Sequence, residues 1–252
     1  MCELLGFSSA EPTDISEVLR KFFSHSIKHP HGWGLMFENG SRQIIRDPSA
    51  AFESPLLEPV LRDLPPQTAA LAHIRFATVG SIKEENCHPF TARDRSGREW
   101  TLIHNGTIFN GRFTHRYSSV QSGDTDSERF FLHLMDAVNR QLLNGIPTDE
   151  ERFRLISRVI ADNAPRNKLN LMIYDGSLLY VHKNLKNTLS YKKIPGGLLF
   201  ATVPLDDGQW EDFPLAQVYA FRNGREVMKA EPHSGIFVPA LDHITTADAM
   251  YI

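Results

Sequence analysis

Leu169-Asn170-Leu171-Met172-Ile173-Tyr174, then Asp175-Gly176-Ser177, then Leu178-Leu179-Tyr180-Val181: two short apolar runs on either side of an Asp-Gly turn read as a β-hairpin. The same pattern occurs twice more. Residues 32–37 and 43–45 flank Asn39-Gly40, and residues 217–221 and 226–228 flank Asn223-Gly224. Tight turns of this kind match the twist of adjacent antiparallel strands, so three of them predict antiparallel sheets. Working outward, residues 3–8, 70–74 and 100–103 also read as strands. Ile15, Val18, Leu19, Phe22 and Phe23 fall on one helical face, behind Asp14-Ile15-Ser16-Glu17 at capping-box spacing. A long helix is expected over 127–143, with Phe130, Phe131, Leu134, Met135, Val138 and Leu142 inward, and another over 150–161, ending before Pro165. Helices come in pairs between blocks of strands and do not alternate with them one for one. That predicts α+β layers in preference to a doubly wound parallel sheet. No repeat or linker divides the chain, so residues 1–252 are expected to form a single domain.

Composition narrows the function. Hydrophobic residues make up 41% and charged residues 23% of 252 residues, which excludes a disordered or fibrous chain. Lys and Arg number 27 against 30 Asp and Glu, a formal net charge of −3. No basic excess points to nucleic acid. No apolar run approaches the ~20 residues of a membrane span, and the N-terminus lacks the form of a secretory signal. Two cysteines, Cys2 and Cys87, do not make a disulfide framework. A reduced, cytoplasmic protein is expected.

Several positions carry chemistry. Removal of Met1 would leave Cys2 with a thiol nucleophile and, on the same residue, an α-amino group that titrates near ~8 and can accept a proton. Otherwise Cys2 is a small residue opening an edge strand. Arg75 follows a strand and can grip a carboxylate through two parallel hydrogen bonds, or form a surface ion pair. Asn105-Gly106 follows another strand. Its side-chain amide and the next backbone N–H can form an oxyanion hole, or the pair is an ordinary turn. Asp126 opens the long helix, as a cap or as the acceptor of a substrate ammonium. Two rivals stand beside these. His25, His29 and His31 could supply imidazoles to a metal, which needs three or four ligands, although a His-x-His pair is more often a solvated loop. Cys87-His88 sets a thiol next to an imidazole, but neighbours in an extended strand face opposite ways. The expectation is no metal and no cofactor.

Taken in order, Met1-Cys2, Gly32-Trp33-Gly34, His73-x-Arg75-x-Ala77-Thr78, Asn86-x-His88-Pro89-Phe90, His104-Asn105-Gly106 and Asp124-Thr125-Asp126-Ser127-Glu128 closely resemble the class-II glutamine amidotransferases, which are N-terminal-nucleophile hydrolases. The resemblance is strongest over 1–130 and closest to the stand-alone, single-domain branch. It implies a four-layer αββα sandwich of two antiparallel sheets between helix layers. It implies that Cys2 attacks the carboxamide of glutamine, with its own α-amine as base, and forms a γ-glutamyl thioester that water cleaves. Asn105 and Gly106 would then hold the oxyanion, Arg75 the α-carboxylate and Asp126 the α-ammonium, with Gly32-Trp33-Gly34 near the nucleophile and able to close over it. The family often has Asp or Asn before that triplet, where this chain has His31. The chain ends at 252 without room for a synthase domain, so the expected partner is a separate user of ammonia. The alternatives are hydrolysis of γ-glutamyl peptides, or a catalytically silent glutamine-binding module.

Overall fold

A computed structural model of the protein describes residues 2–111 and 115–239; the expected removal of Met1 concerns a residue outside that range. Thirteen strands are described: β1 (Glu3–Thr13), β2 (Trp33–Glu38), β3 (Arg42–Asp47), β4 (Gln67–Ile74), β5 (Phe90–Arg93), β6 (Glu99–Asn105), β7 (Asn170–Tyr174), β8 (Leu179–His182), β9 (Ser190–Ile194), β10 (Gly197–Ala201), β11 (Glu211–Asp212), β12 (Tyr219–Arg222) and β13 (Arg225–Lys229). The α-helices are α1 (Ser16–Ser24), α2 (Leu57–Arg62), α3 (Asp126–Gln141) and α4 (Asp149–Asn163). One sheet has the order β11-β9-β10-β1-β4-β2-β3 and the other β13-β12-β8-β7-β6-β5. Every pairing is antiparallel, and the three Asn-Gly and Asp-Gly hairpins are β2–β3, β7–β8 and β12–β13.

The period of two along each strand sorts side chains into layers. Leu5 and Phe7 of β1 pack with Leu19, Phe22 and Phe23 of α1 and Leu61 of α2. Leu4 points the other way, into a cluster with Met36, Ile103, Met172, Val181 and Phe200 drawn from both sheets. On the far side, Trp100, Leu102, Leu171 and Ile173 meet Phe130, Phe131 and Leu134 of α3 and Phe153 and Ile156 of α4. The order is therefore helices, sheet, sheet, helices: the expected α+β sandwich.

Local expectations met different fates. Strand β1 runs past the expected end at Ser8 to Thr13, across a register shift, where the Ser9 hydroxyl bonds the Glu11 and Gly196 carbonyls. The capping box foreseen at Asp14 does not form, since Ile15 is the N-cap residue of α1; Asp14 instead accepts the Ser16 N–H at 2.9 Å. A complete box stands at α4, where Thr148 and Glu151 bond each other's backbone N–H groups. Trp33 and Gly34 of the Gly32-Trp33-Gly34 triplet lie in β2, paired on both sides with β3 and β4. Trp33 is fully buried against Phe23, ring centroids 5.2 Å apart. A Cβ on Gly34 would lie 2.0 Å from the His88 carbonyl oxygen, so glycine there lets the chain around Cys87 cross the strand. Among the described residues no helix is long and apolar enough to cross a membrane.

Candidate active site

The sandwich brings four chain segments to one end. Cys2 immediately precedes β1, Arg75 follows β4, Asn105 is the last residue of β6, and Asp126 opens α3. β1 and β4 are neighbours with Glu3 opposite Ile74, which sets Cys2 beside the segment after Arg75. Across the sheets, the His73 Nε2–H donates to the His104 carbonyl at 3.3 Å, so β4 and β6 are tied next to Arg75 and Asn105. Beyond the strands the Thr78 and Thr107 hydroxyls lie 3.4 Å apart.

The half-buried Cys2 sits against the backbone of Phe76. The Phe76 N–H donates to Sγ at 3.4 Å, and the thiol lies 3.5 Å from the Phe76 carbonyl oxygen. Burial pushes the Cys2 thiol above its ordinary range, while the Phe76 N–H and the charges of Arg75 and Lys168 pull in the other direction. The net direction is up, so the thiol is protonated near neutrality and needs a base to act as a nucleophile.

Asn105 is buried, and its Nδ2 has no hydrogen-bond partner. A buried donor left unpaired costs about 1–3 kcal/mol, and such groups in native proteins mark functional sites or bound molecules. Next to it, a Cβ on Gly106 would fall 1.9 Å from the Lys168 carbonyl oxygen and 2.4 Å from His104 Nε2; only glycine fits. His104, fully walled in, holds this turn. Its Nε2–H donates to the Lys168 carbonyl at 2.9 Å, and Nδ1, 2.9 Å from the Ser127 hydroxyl, accepts from it. A carbonyl can only accept, so the ring carries its proton on Nε2, and burial holds its pKa below the ordinary imidazole value. The Asn105-Gly106 turn is thereby fastened to the first turn of α3.

Asp126 is not the cap of that helix. Thr125 is, accepting the Glu128 N–H at 3.2 Å. The buried Asp126 carboxylate instead accepts the Ile108 N–H at 2.6 Å and the Ser127 N–H at 3.0 Å. Arg75 is buried too, and forms no ion pair among the described residues. It donates to the carbonyls of Ser81 (2.9 Å), Val79 (3.0 Å), Gly80 (3.2 Å) and His31 (3.5 Å). Its guanidinium thus braces the 76–81 loop, and Nε remains without a partner among the described residues. The same loop is held from outside by residues that motif reading left without a role. Asp124 accepts the Ser81 N–H at 3.1 Å and also bonds Asn86 Nδ2, while Asn86 Oδ1 accepts the Asp124 N–H at 2.9 Å. Asn86 and Asp124 stood in the quoted motifs; the buried Lys168, behind Gly106, carried no sequence signal.

The rival sites come apart. His25 Nδ1 faces the Glu3 carboxylate at 2.8 Å, His29 Nδ1 the His25 carbonyl at 3.1 Å, and His31 Nδ1 accepts the Ala77 N–H at 3.0 Å. Each imidazole has its own protein partner. Among the described residues no group of three or more His, Cys, Asp or Glu side chains is disposed to hold a metal. Cys87 is buried, its thiol 3.5 Å from the Asp47 and Lys83 carbonyls, and burial pushes it up to about 12. A cavity of about 690 Å³ lies at the opposite, Gly197 end of β10, walled by Tyr191, Phe213, Tyr219 and Phe221. Its size does not mark the chemistry, because none of the four converging segments reaches it.

Comparison with known proteins agrees with this geometry. The chain is 31% identical to YafJ of Escherichia coli K12, a protein provisionally named a glutamine amidotransferase, over 73% of this chain and 74% of that one. The crystal structure of a Pseudomonas aeruginosa protein, titled as a predicted glutamine amidotransferase, superposes with a TM-score of 0.64 at 23% identity, covering 90% of this chain and all of that one. The glutamine phosphoribosylpyrophosphate amidotransferase of B. subtilis shares the fold at a TM-score of 0.68 and 15% identity, over 91% of this chain and 49% of that one. Residues 1–196 match the family described as glutamine amidotransferases class-II, and with Cys2, Arg75, Asn105, Gly106 and Asp126 all lying in that span, the chain belongs to this family.

Proposed function

We propose that the protein hydrolyses the side-chain amide of glutamine, or of a γ-glutamyl compound, through Cys2. The observation that carries this reading is the buried, unpartnered amide of Asn105 at the end of the sandwich that also holds the Cys2 thiol. A thiol whose pKa is raised by burial calls for a base, and the α-amine freed by loss of Met1 is the nearest possible one in the chain. In this reading the amine takes the thiol proton as Sγ bonds to the carboxamide carbon. The tetrahedral oxyanion is held by Asn105 Nδ2 and the Gly106 N–H, donors that need no reorganisation as charge develops. The carbon–nitrogen bond then breaks, the leaving group takes the proton back, and ammonia departs from glutamine or the free amine from a γ-glutamyl compound. Water cleaves the thioester to give glutamate and return the thiol.

Asp126, with two backbone N–H donors already on its oxygens, keeps acceptor capacity for the substrate ammonium. Arg75 takes the α-carboxylate by exchanging some of its loop carbonyls for the substrate. Residues 1–252 act as one domain in this reading, and a separate synthase or subunit takes up the ammonia. The test is direct. Met1-free protein should release glutamate and ammonia in equal amounts from glutamine or a γ-glutamyl amide, whereas Cys2→Ala should bind the same substrate with no turnover. Equal turnover by both proteins would rule out the thiol.

A further inference from the structure

The imidazole of His31 is in an unusual position. Backbone pairing between β2 and β4 ends at Trp33 opposite Ile74. Past that point the two segments stay together through His31. Its N–H donates to the Arg75 carbonyl at 3.1 Å, and the Arg75 N–H donates to the Gly32 carbonyl at 2.8 Å. One bond further on, where the backbone has no acceptor to offer, the side chain supplies it: the Ala77 N–H donates to His31 Nδ1 at 3.0 Å. The ring also lies against Phe76, centroids 5.1 Å apart. The peptide fixed in this way, Phe76–Ala77, is the one whose carbonyl lies 3.5 Å from Sγ, and the peptide before it donates the Phe76 N–H to the same sulfur.

We infer that His31 is a positioning residue for the nucleophile, acting as a neutral imidazole whose Nδ1 locks the Phe76–Ala77 peptide and so sets the place of the Cys2 thiol. The inference rests on the proposed role of Cys2. Nδ1 accepts only while it is unprotonated; a proton there would set two N–H groups against each other. The charged and titratable side chains that act on the ring are Arg75 and His29. Burial first, and then the Arg75 and His29 charges, keep the imidazole below its ordinary pKa, so the lock is in place at neutral pH and opens only in acid. An amide oxygen can take the same bond without titrating, which makes His31→Asn the informative replacement and His31→Ala the disruptive one.

The test reads Cys2 directly and needs no amidotransferase substrate. The rate of Cys2 alkylation by iodoacetamide is followed by mass spectrometry from pH 5 to 9 in the wild type, His31→Ala and His31→Asn, together with glutamine turnover. A displaced reacting atom loses about 10–100-fold in rate, and His31→Ala should lose that much in both readouts. His31→Asn should stay within about threefold of wild type at neutral pH, as restored acceptance predicts. Below the ordinary imidazole range, wild-type alkylation should fall more steeply than that of His31→Asn. If His31→Ala does not fold, the difference between the wild-type and His31→Asn pH profiles still decides. Wild-type alkylation rates in His31→Ala, equal slowing in both variants, or superimposable wild-type and His31→Asn profiles would each overturn the inference. His31-dependent alkylation with no turnover of any glutamyl substrate would keep it and discard the reaction proposed above.

Discussion

At the scale of single residues, the site is defined by what its side chains do not bond. Asn105 is enclosed, and its amide donor faces no acceptor, which a plain turn residue would avoid. If Asn105 holds the oxyanion as proposed, Asn105→Ala removes a donor aimed at charge that exists only in the transition state, and kcat should drop about 10²–10³-fold with KM little changed. Steady-state kinetics per titratable thiol check this. An unchanged kcat in folded variant protein would make Asn105 structural. Cys2, Asn105, Gly106 and Asp126 stand out in the sequence through the joint order of their motifs, each alone having an ordinary structural reading, and the fold brings their segments to one end of the sandwich. The roles of His31, His104 and Lys168 were not legible in the sequence. A histidine that accepts a backbone N–H from a segment 46 residues away, or a lysine whose carbonyl forbids a Cβ on Gly106, leaves no local pattern.

At the scale of elements, the 76–81 loop joins binding to folding. Arg75 was read as a substrate ligand, and in the folded chain its guanidinium holds four carbonyls. Both roles predict damage on truncation, but in different observables. Leaving buried carbonyls unpaired costs about 1–3 kcal/mol, which for a chain of this size lowers Tm by roughly 2–12 °C at about 2–4 °C per kcal/mol. Loss of a buried charged partner for the substrate carboxylate costs about 2–5 kcal/mol and should raise KM at least ~10-fold. Arg75→Ala is expected to show both effects, by calorimetry and by kinetics. A lowered Tm with an unchanged KM would reduce Arg75 to a brace. Hairpins and amphipathic helices were the legible elements, because an Asn-Gly turn or a 3.6-residue period states its own geometry. β10 was not. Leu198, Leu199, Phe200 and Ala201 are all buried, so the strand shows no alternation from which to read its faces.

At the scale of the molecule, β10 pairs with β1 at the centre of one sheet, and β12 and β13 complete the other. Both lie beyond residue 196, so the sheets that carry the family match are finished by chain outside it. The interior also carries neutral histidines. Burial holds His73 and His182 down to about 3 and His88 well below the ordinary value, and His104 is lowered as well. In the unfolded chain these rings take up protons near ~6.5, and in the folded chain they do not until far lower pH. Their contribution is thus complete at neutrality and is lost as pH falls from ~6.5 toward the folded values, at up to ~1.4 kcal/mol per pH unit for each ring. Tm should fall by at least ~5 °C between pH 6.5 and 5, above the range in which most carboxylates titrate. A flat Tm across that interval would mean that the rings are not neutral inside the fold.

The proposed chemistry turns on the thiol of Cys2 acting with its own freed amine. The measurement that tests it most directly pairs intact mass with glutaminase activity on two preparations of one chain, one lacking Met1 and one retaining it. Both preparations keep the thiol and the oxyanion donors, and differ in whether Cys2 carries a free amine or a peptide nitrogen. Turnover should scale with the Met1-free fraction and be lost when Met1 is retained throughout. Full turnover in protein whose mass shows Met1 on every molecule would contradict it.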